Sequence, residues 1–205
     1  KNVSLRFLCA ISIFRVFLSH LFQNCVSIRG VAKVPEIHDA IYDKNVESEV
    51  LVHTTGTDIN QDMYNILIYL VSNYNTKIIG ANKVNLHNYL GAVNMFERAN
   101  FIKSTKVFVD LNASDVWDAA YLQTAPVSLH NVHQNIFQCE GWQPLKHNID
   151  SLLSKKLVRN KYIDQCYETA CNNNTTYHWV AEIFNKINEK NISDILLKYI
   201  KELIK

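Results

Sequence analysis

Glycine and proline are scarce in this sequence, and the glycine motifs of several enzyme classes are missing. Only 5 glycines and 3 prolines occur among 205 residues, which excludes a collagen-like or linker-like chain. The phosphate-binding patterns GxxxxGK(S/T) and GxGxxG are absent, and so is the GxSxG turn of serine hydrolases. Because 48% of the residues are hydrophobic and 20% are charged, we predict a folded globular chain with a sizeable core.

Cysteine pairs with the spacing of metal or redox sites are also missing. The five cysteines stand at positions 9, 25, 139, 166 and 171, without any CxxC pair, which argues against a disulfide framework. His130 and His133 would point to opposite faces of a strand, so we expect no metal site and no cofactor. Since no acid, base and nucleophile come together around Cys139 or elsewhere, we predict no catalytic residues, no small-molecule substrate and a protein that is not an enzyme.

Acidic residues are missing from the first 35 positions, where the basic residues include Arg15, Arg29 and Lys33. A segment with this charge that is rich in Ser, Phe, Leu and Ile is typical of a mitochondrial presequence. We therefore predict a mitochondrial protein whose residues 1–35 form an amphipathic helix that is retained. Residues 3–22 are long enough for membrane contact, although an Arg at the middle of a bilayer would cost about 2.5 to 3.5 kcal/mol.

The remaining charges are unevenly distributed along the chain. Residues 36–150 hold thirteen acidic and seven basic residues, whereas residues 151–205 hold nine basic and six acidic residues. Four basic residues of the second segment lie close together: Lys155, Lys156, Arg159 and Lys161. This group is either a solvated helix face or a phosphate-contacting patch, for which the adjacent Tyr162 is suitable. We expect phosphate contacts at the two basic ends of the chain.

The middle of the chain alternates between strand and helix patterns. Runs rich in β-branched residues predict strands at residues 50–53, 77–81 and 107–111. Apolar residues at helical spacing predict helices over residues 58–74 and 86–96, the first of which opens with a capping box of Asp58 and Gln61. This order predicts an α+β or α/β fold, of which we expect α+β, with both helices on the same side of a sheet.

A basic residue, Lys83, precedes the second helical pattern, which ends with Glu97 and Arg98. This pattern and the order of the elements resemble the Alba family of small nucleic-acid-binding proteins over residues 49–133. The resemblance implies a β-α-β-α-β-β fold with a small mixed sheet. It places the fourth strand at residues 126–133, after a hairpin loop at residues 112–125, and it implies nucleic-acid contact by Lys83.

Two turns of this chain depart from the Alba pattern. The turn at residues 54–58 has no cation where archaeal members carry lysines, so we expect no nucleic-acid contact there. The hairpin loop carries Asp115 and Asp118 in place of basic residues. The resemblance therefore supports the fold more strongly than it supports the binding of duplexes.

The chain is divided by these patterns into residues 1–35, an Alba-like domain at 46–133 and a helical extension at 134–205. About three helices are expected in the extension, with Asp150 or Ser151, Thr176 and Ser193 as N-caps. The basic ends and the resemblance predict a non-enzymatic RNA-binding protein, most concretely a ribosomal protein of a protist mitochondrion. Its partners would be rRNA and neighbouring proteins of a large ribonucleoprotein. The alternative is an accessory subunit of a mitochondrial inner-membrane complex.

Overall fold

Five short strands form one parallel sheet in the part of the chain that the computed structural model describes, which is residues 48–56, 58–112, 115–139, 141–186 and 189–203. They are β1 (Ser48–His53), β2 (Thr76–Ile79), β3 (Thr105–Asp110), β4 (Ala125–Ser128) and β5 (Phe137–Gln138). Their order across the sheet is β2-β1-β3-β4-β5, and every neighbouring pair is parallel. β1 lies inside the sheet, where Val50 stands opposite Thr76 on one side and Val107 on the other.

Helices connect the first four strands, because parallel strands need a crossover and cannot be joined by a tight hairpin. α1 (Gln61–Asn73) joins β1 to β2, α2 (Met95–Lys103) joins β2 to β3, and α3 (Val116–Tyr121) joins β3 to β4. The described residues after β5 form four more helices, which are α4 (Trp142–Ser154), α5 (Lys156–Asn173), α6 (Thr176–Lys186) and α7 (Lys190–Leu203).

Both faces of the sheet are covered, as is usual for a parallel sheet. One face presents Val50, Val52, Val107 and Val109 to a core that also contains buried residues of α1, α4 and α5. The opposite face presents Leu51, Ile79 and Phe108 to a second core, which includes Ala99 and Ile102 of α2. Since alternate residues of β1 and β3 enter different cores, the described chain is a three-layer α/β structure.

α6 and α7 form a helical pair with an apolar cluster of its own. Tyr177, Val180 and Ala181 of α6 pack against Leu196 and Ile200 of α7, and all five side chains are buried.

The predicted combination of helices and strands is confirmed, and so are the three predicted strands, which appear as β1, β2 and β3. The helix predicted over residues 58–74 is α1, but it begins three residues later. Asn60 and not Asp58 is its N-cap, because the Asn60 side chain accepts the hydrogen bond of the Met63 N–H. One of the unpaired amide groups at the start of the helix is satisfied in this way.

The small mixed sheet expected from the Alba resemblance is wrong. β3 and β4 are parallel and not a hairpin, and residues 116–121 of the predicted hairpin loop form α3. The strand expected at residues 126–133 ends at Ser128. α1 and α2 also contact different cores and thus cover opposite faces of the sheet. The physical cause is long-range pairing, since a strand pattern does not specify the direction of its neighbour.

The helix predicted over residues 86–96 is displaced toward the C-terminus, because α2 begins at Met95. Asn94 accepts the Glu97 N–H while the Glu97 side chain accepts the Asn94 N–H, which makes a reciprocal capping box. Leu90 donates its N–H to the Ile78 carbonyl, so the preceding loop runs beside β2. The apolar residues whose spacing predicted a helix therefore lie mostly in a loop.

The helical extension predicted after residue 134 differs in its details. Its first helix, α4, begins at Trp142, so the predicted N-cap residues Asp150 and Ser151 lie inside a helix. Four helices and not three follow β5 in the described chain. α4 and α5 also supply buried residues to the first core, among them Leu145, Ile149 and Cys166.

Leu67 on α1 tests the assignment of the buried helix face. It is fully buried, whereas the adjacent Ile68 is 41% exposed. We expect Leu67→Ala to lower the free energy of unfolding by about 2 to 5 kcal/mol, because it leaves a cavity in the core. The matched control Ile68→Ala should lower it by less than about 1 kcal/mol. Urea denaturation measures both values, and equal losses would contradict the assignment.

Candidate functional site

β2 lies on one side of β1, and β3, β4 and β5 lie on its other side. After β2, the chain therefore crosses back past β1 to form β3. The connections therefore diverge at the carboxyl ends of β1 and β3, and ligands of open α/β sheets bind in the crevice at such a point. His53 is the last residue of β1, and Asp110 is the last residue of β3. The two stand opposite each other in the register. A functional site is therefore expected at this edge of the sheet.

His53 forms a close pair with Asp115, which immediately precedes α3. The His53 Nδ1 atom lies 2.5 Å from Asp115 Oδ2, and the two side chains are only 6% and 1% exposed. This contact is one of distance, because His53 Nδ1 makes no hydrogen bond of ordinary geometry within the described residues. A carboxylate beside a ring nitrogen of histidine also occurs in known acid–base sites.

Arg98 of α2 connects Asp115 to a second carboxylate, that of Asp118 on α3. The guanidinium Nη1 donates to Asp115 Oδ1 and Nη2 donates to Asp118 Oδ2, each over 3.0 Å. Asp118 is 1% exposed and the Arg98 side chain is 13% exposed. Because an unpaired buried carboxylate is costly, one cation between two carboxylates compensates much of their desolvation.

Asp110 completes a group that we call the carboxyl-edge cluster: His53, Arg98, Asp110, Asp115 and Asp118. The Asp110 carboxylate accepts the N–H of Asp115 over 2.7 Å and that of Asn112 over 3.2 Å. Burial, followed by the nearby charge of Asp115, raises the pKa of Asp110 above its ordinary value. Asp110 thus holds the backbone of Asp115 in place, while Arg98 holds its side chain.

The turns around the cluster are tied together by side chains. The Thr54 hydroxyl lies within hydrogen-bond reach of the carbonyls of Ile79 and Asn82, at 3.2 and 3.1 Å. The Asn82 side chain accepts the Gly56 N–H, and the Asn112 side chain donates to the Thr55 carbonyl. The turns after β1, β2 and β3 are therefore joined into one frame above the edge of the sheet.

The cysteines and histidines of the described ranges that lie outside the cluster show no comparable arrangement. Burial raises the pKa of the Cys139 thiol and raises that of Cys166 to about 12, which is unfavourable for nucleophilic thiolates. In the described ranges, no group of three His, Cys, Asp or Glu side chains is placed to hold a metal ion.

The basic residues predicted to bind nucleic acid are not brought together. Arg15, Arg29 and Lys33 lie outside the described residues, and so do residues 3–22, for which membrane contact was expected. Lys83 is exposed after β2, while Lys155, Lys156 and Lys161 are exposed at the junction of α4 and α5. Arg159 instead donates to the carbonyl of Leu152 over 2.8 Å, at the end of α4.

Lys83 and the basic group of residues 155–161 lie at opposite edges of the sheet. Lys83 comes after the carboxyl end of β2. Tyr74 lies just before the amino end of β2, and its hydroxyl donates to Asp150 in the second half of α4 over 2.6 Å. The end of α4 is thus near the amino edge. In the described part of the chain, no helix is both long and apolar enough to cross a membrane.

The carboxyl-edge cluster was missed by the sequence reasoning, which treated Asp115 and Asp118 only as departures from a family pattern. A usable signal was present, since His53 and Asp110 each end a β-branched run. In a parallel sheet, such residues meet at one edge. The assumption of a β3–β4 hairpin concealed that signal.

Comparison with known proteins gave structural likenesses only. No protein-family model and no curated protein matches the sequence. A protein assigned as a UDP-N-acetylglucosamine 2-epimerase from Listeria monocytogenes is similar with a TM-score of 0.46 and 12% identity, over 64% of this chain and 42% of that one. The wall teichoic acid polymerase TagF is similar with a TM-score of 0.38 and 14% identity, over 83% of this chain and 48% of that one. The chain spans less than half the length of these proteins.

The parallel sheet overturns the predicted function, because it replaces the Alba-like unit on which the nucleic-acid interpretation depended. The prediction of a non-enzymatic RNA-binding ribosomal protein is wrong, and so are its alternative, an accessory subunit, and the prediction of no enzyme. The mitochondrial location and the Alba resemblance itself stay predictions.

A substitution at Gly80 tests how closely the turn after β2 packs against the turn after β1. The φ of Gly80 is +138°, and an added Cβ would lie 2.5 Å from Thr54 Oγ1 and 2.7 Å from the Thr55 nitrogen. Gly91 also has a positive φ, but nothing lies within 4 Å of its Cβ position. Gly91→Ala should therefore cost only backbone strain, about 1 to 3 kcal/mol. We expect Gly80→Ala to cost about 1 to 3 kcal/mol more because of overlap, as measured by urea denaturation. Equal costs would refute the close contact.

Asp110 predicts a pH dependence of stability. Because its pKa is raised in the folded state, the fold favours the protonated carboxyl, and this contribution to stability is lost as the pH rises through the folded pKa. Asp110→Asn removes the ionisable carboxyl group. It also removes one hydrogen-bond acceptor, which lowers the free energy of unfolding by an amount that does not depend on pH. The stability of the variant relative to the parent should thus increase as the pH rises from about 4 to 8. If urea denaturation gives the same stability difference between variant and parent across this pH range, the raised pKa of Asp110 is contradicted.

Proposed function

We propose that the described domain is the proton-transfer and ligand-binding part of an enzyme, with His53 as the general acid or base. The observation that carries this proposal is the His53–Asp115 pair at the point where the chain connections diverge. Imidazole is the side chain that most often transfers protons near neutral pH. Its position at the carboxyl edge places it where a bound substrate of such a sheet would lie.

The pair has the parts that such a role requires. His53 Nδ1 lies 2.5 Å from Asp115 Oδ2. A neutral imidazole with its proton on Nδ1 keeps the lone pair of Nε2, which can remove a proton from a hydroxyl group. In the proposed role, Asp115 orients the ring toward the substrate, as the carboxylate of a catalytic triad does.

The substrate class that we propose is a sugar carried on a nucleoside diphosphate. Its hydroxyl groups supply a proton for His53, and the exposed Thr55 hydroxyl lies at the same edge of the sheet. The exposed Lys83, which comes directly after Asn82 of the frame, supplies a positive charge for a phosphate. The substrate named for one similar structure, UDP-N-acetylglucosamine, is the first compound to test.

The decisive variant is His53→Gln, which removes the proton-transferring ring. We expect the full chain to convert UDP-N-acetylglucosamine, monitored by new sugar resonances in proton NMR, and the variant to be about 10² to 10⁴ times slower. His130→Gln is the matched control, because it removes an exposed imidazole at the same edge and should leave the rate close to that of the parent. Thermal unfolding verifies that both variants are folded.

Two results would overturn this proposal. If the chain neither binds nor converts UDP-N-acetylglucosamine or UDP in calorimetry and NMR, the substrate class is wrong. If folded His53→Gln is as active as the parent, the role of His53 is wrong, and the carboxyl-edge cluster serves stability alone.

A further inference from the structure

We infer that Arg98 is a positioning residue, which fixes the tautomer and the orientation of His53 through Asp115. This inference rests on the proposed function, because a fixed tautomer matters only if Nε2 meets a substrate. It concerns the two oxygens of the Asp115 carboxylate, which face different side chains. Asp115 Oδ1 faces Arg98 at 3.0 Å, while Oδ2 faces His53 at 2.5 Å.

Arg98 is itself held by its place in α2 and by two carboxylates, so it can hold Asp115. The capping box of Asn94 and Glu97 sets the start of α2 and places Arg98 in its first turn. Nη1 binds Asp115, which precedes α3, and Nη2 binds Asp118 in α3. A planar guanidinium fork restricts the direction of both acceptors more than an ammonium group would. Rotation of the Asp115 carboxylate would therefore break its bond to Arg98.

The consequence for His53 depends on the charge state of its partner. An ionised Asp115 can only accept a hydrogen bond, so it favours the tautomer that carries its proton on Nδ1, the nitrogen that faces it. Removal of Arg98 would leave three buried carboxylates without the guanidinium that pairs two of them: Asp110 at the end of β3, Asp115 before α3 and Asp118 in α3. One of them would take up a proton or turn away, and His53 would no longer have a single tautomer.

The test uses the ring nitrogens of His53 in the 15N-labelled full chain, assigned by comparison with His53→Gln. The parent should show the Nδ1–H tautomer, and Arg98→Gln should shift the ring signals toward a mixture of both tautomers. Arg98→Lys keeps the charge but not the fork, so we expect partial recovery. In turnover, kcat should fall about 100-fold in Arg98→Gln with little change of KM, as for other losses of alignment.

Arg159→Gln is the matched control. Arg159 is also a half-buried arginine, but it binds backbone carbonyls at the opposite edge of the sheet. Its replacement should lower stability and leave the ring signals of His53 unchanged. A role of Arg98 in stability alone would give that same result for Arg98→Gln. Asp118→Asn keeps an oxygen acceptor for Nη2, so it should keep the tautomer of His53. This variant can be measured whether or not Arg98→Gln folds.

The outcomes separate this inference from the proposed function. If folded Arg98→Gln or Arg98→Lys leaves the ring signals of His53 as in the parent, the positioning role is refuted whatever the activity shows. If the signals shift as expected while His53→Gln keeps full turnover, the positioning role is upheld and the catalytic role of His53 is refuted.

Discussion

Parallel pairing of the strands is the constraint on which the rest of this structure depends. Parallel neighbours cannot share a tight hairpin, so the chain must return over the sheet between β1, β2, β3 and β4. The crossovers cover both faces, which is why alternate residues of β1 and β3 enter separate apolar cores. All carboxyl ends then lie at one edge, where His53 and Asp110 meet in register. The location of the candidate site is a direct result of this pairing.

The carboxyl-edge cluster is difficult to explain by stability alone. Five ionisable side chains lie together, and three of them, Asp110, Asp115 and Asp118, are at most 1% exposed. Taking a charge out of water costs several kcal/mol, and well-packed apolar groups often serve a core equally well or better. In the role that we propose, Asp115 instead orients an imidazole, with one oxygen beside Arg98 and the other beside His53. Such orientation is what proton transfer requires.

The Alba resemblance and the observed structure share the same early order of elements, strand, helix, strand, helix, strand. They differ after β3, where the short helix α3 replaces a hairpin loop. This helix has six residues, all of them buried. Asp115 and Asp118, which had appeared as acidic substitutions in a basic loop, are thereby placed beside Arg98 and His53. A local difference in connection thus changes the chemistry of the whole edge.

The sequence by itself determined the strand runs of β1, β2 and β3, the existence of α1 and the absence of common phosphate and hydrolase motifs. Those features depend on local periodicity and composition, which neighbouring residues specify. Only the tertiary structure decided the direction of β4, the start of α2 at Met95 and the meeting of His53 with Asp115 and Arg98. These depend on contacts between residues far apart in the chain, because a β-branched run is equally compatible with parallel and antiparallel neighbours. Burial of both faces selects one arrangement, and with it the residues that share an edge.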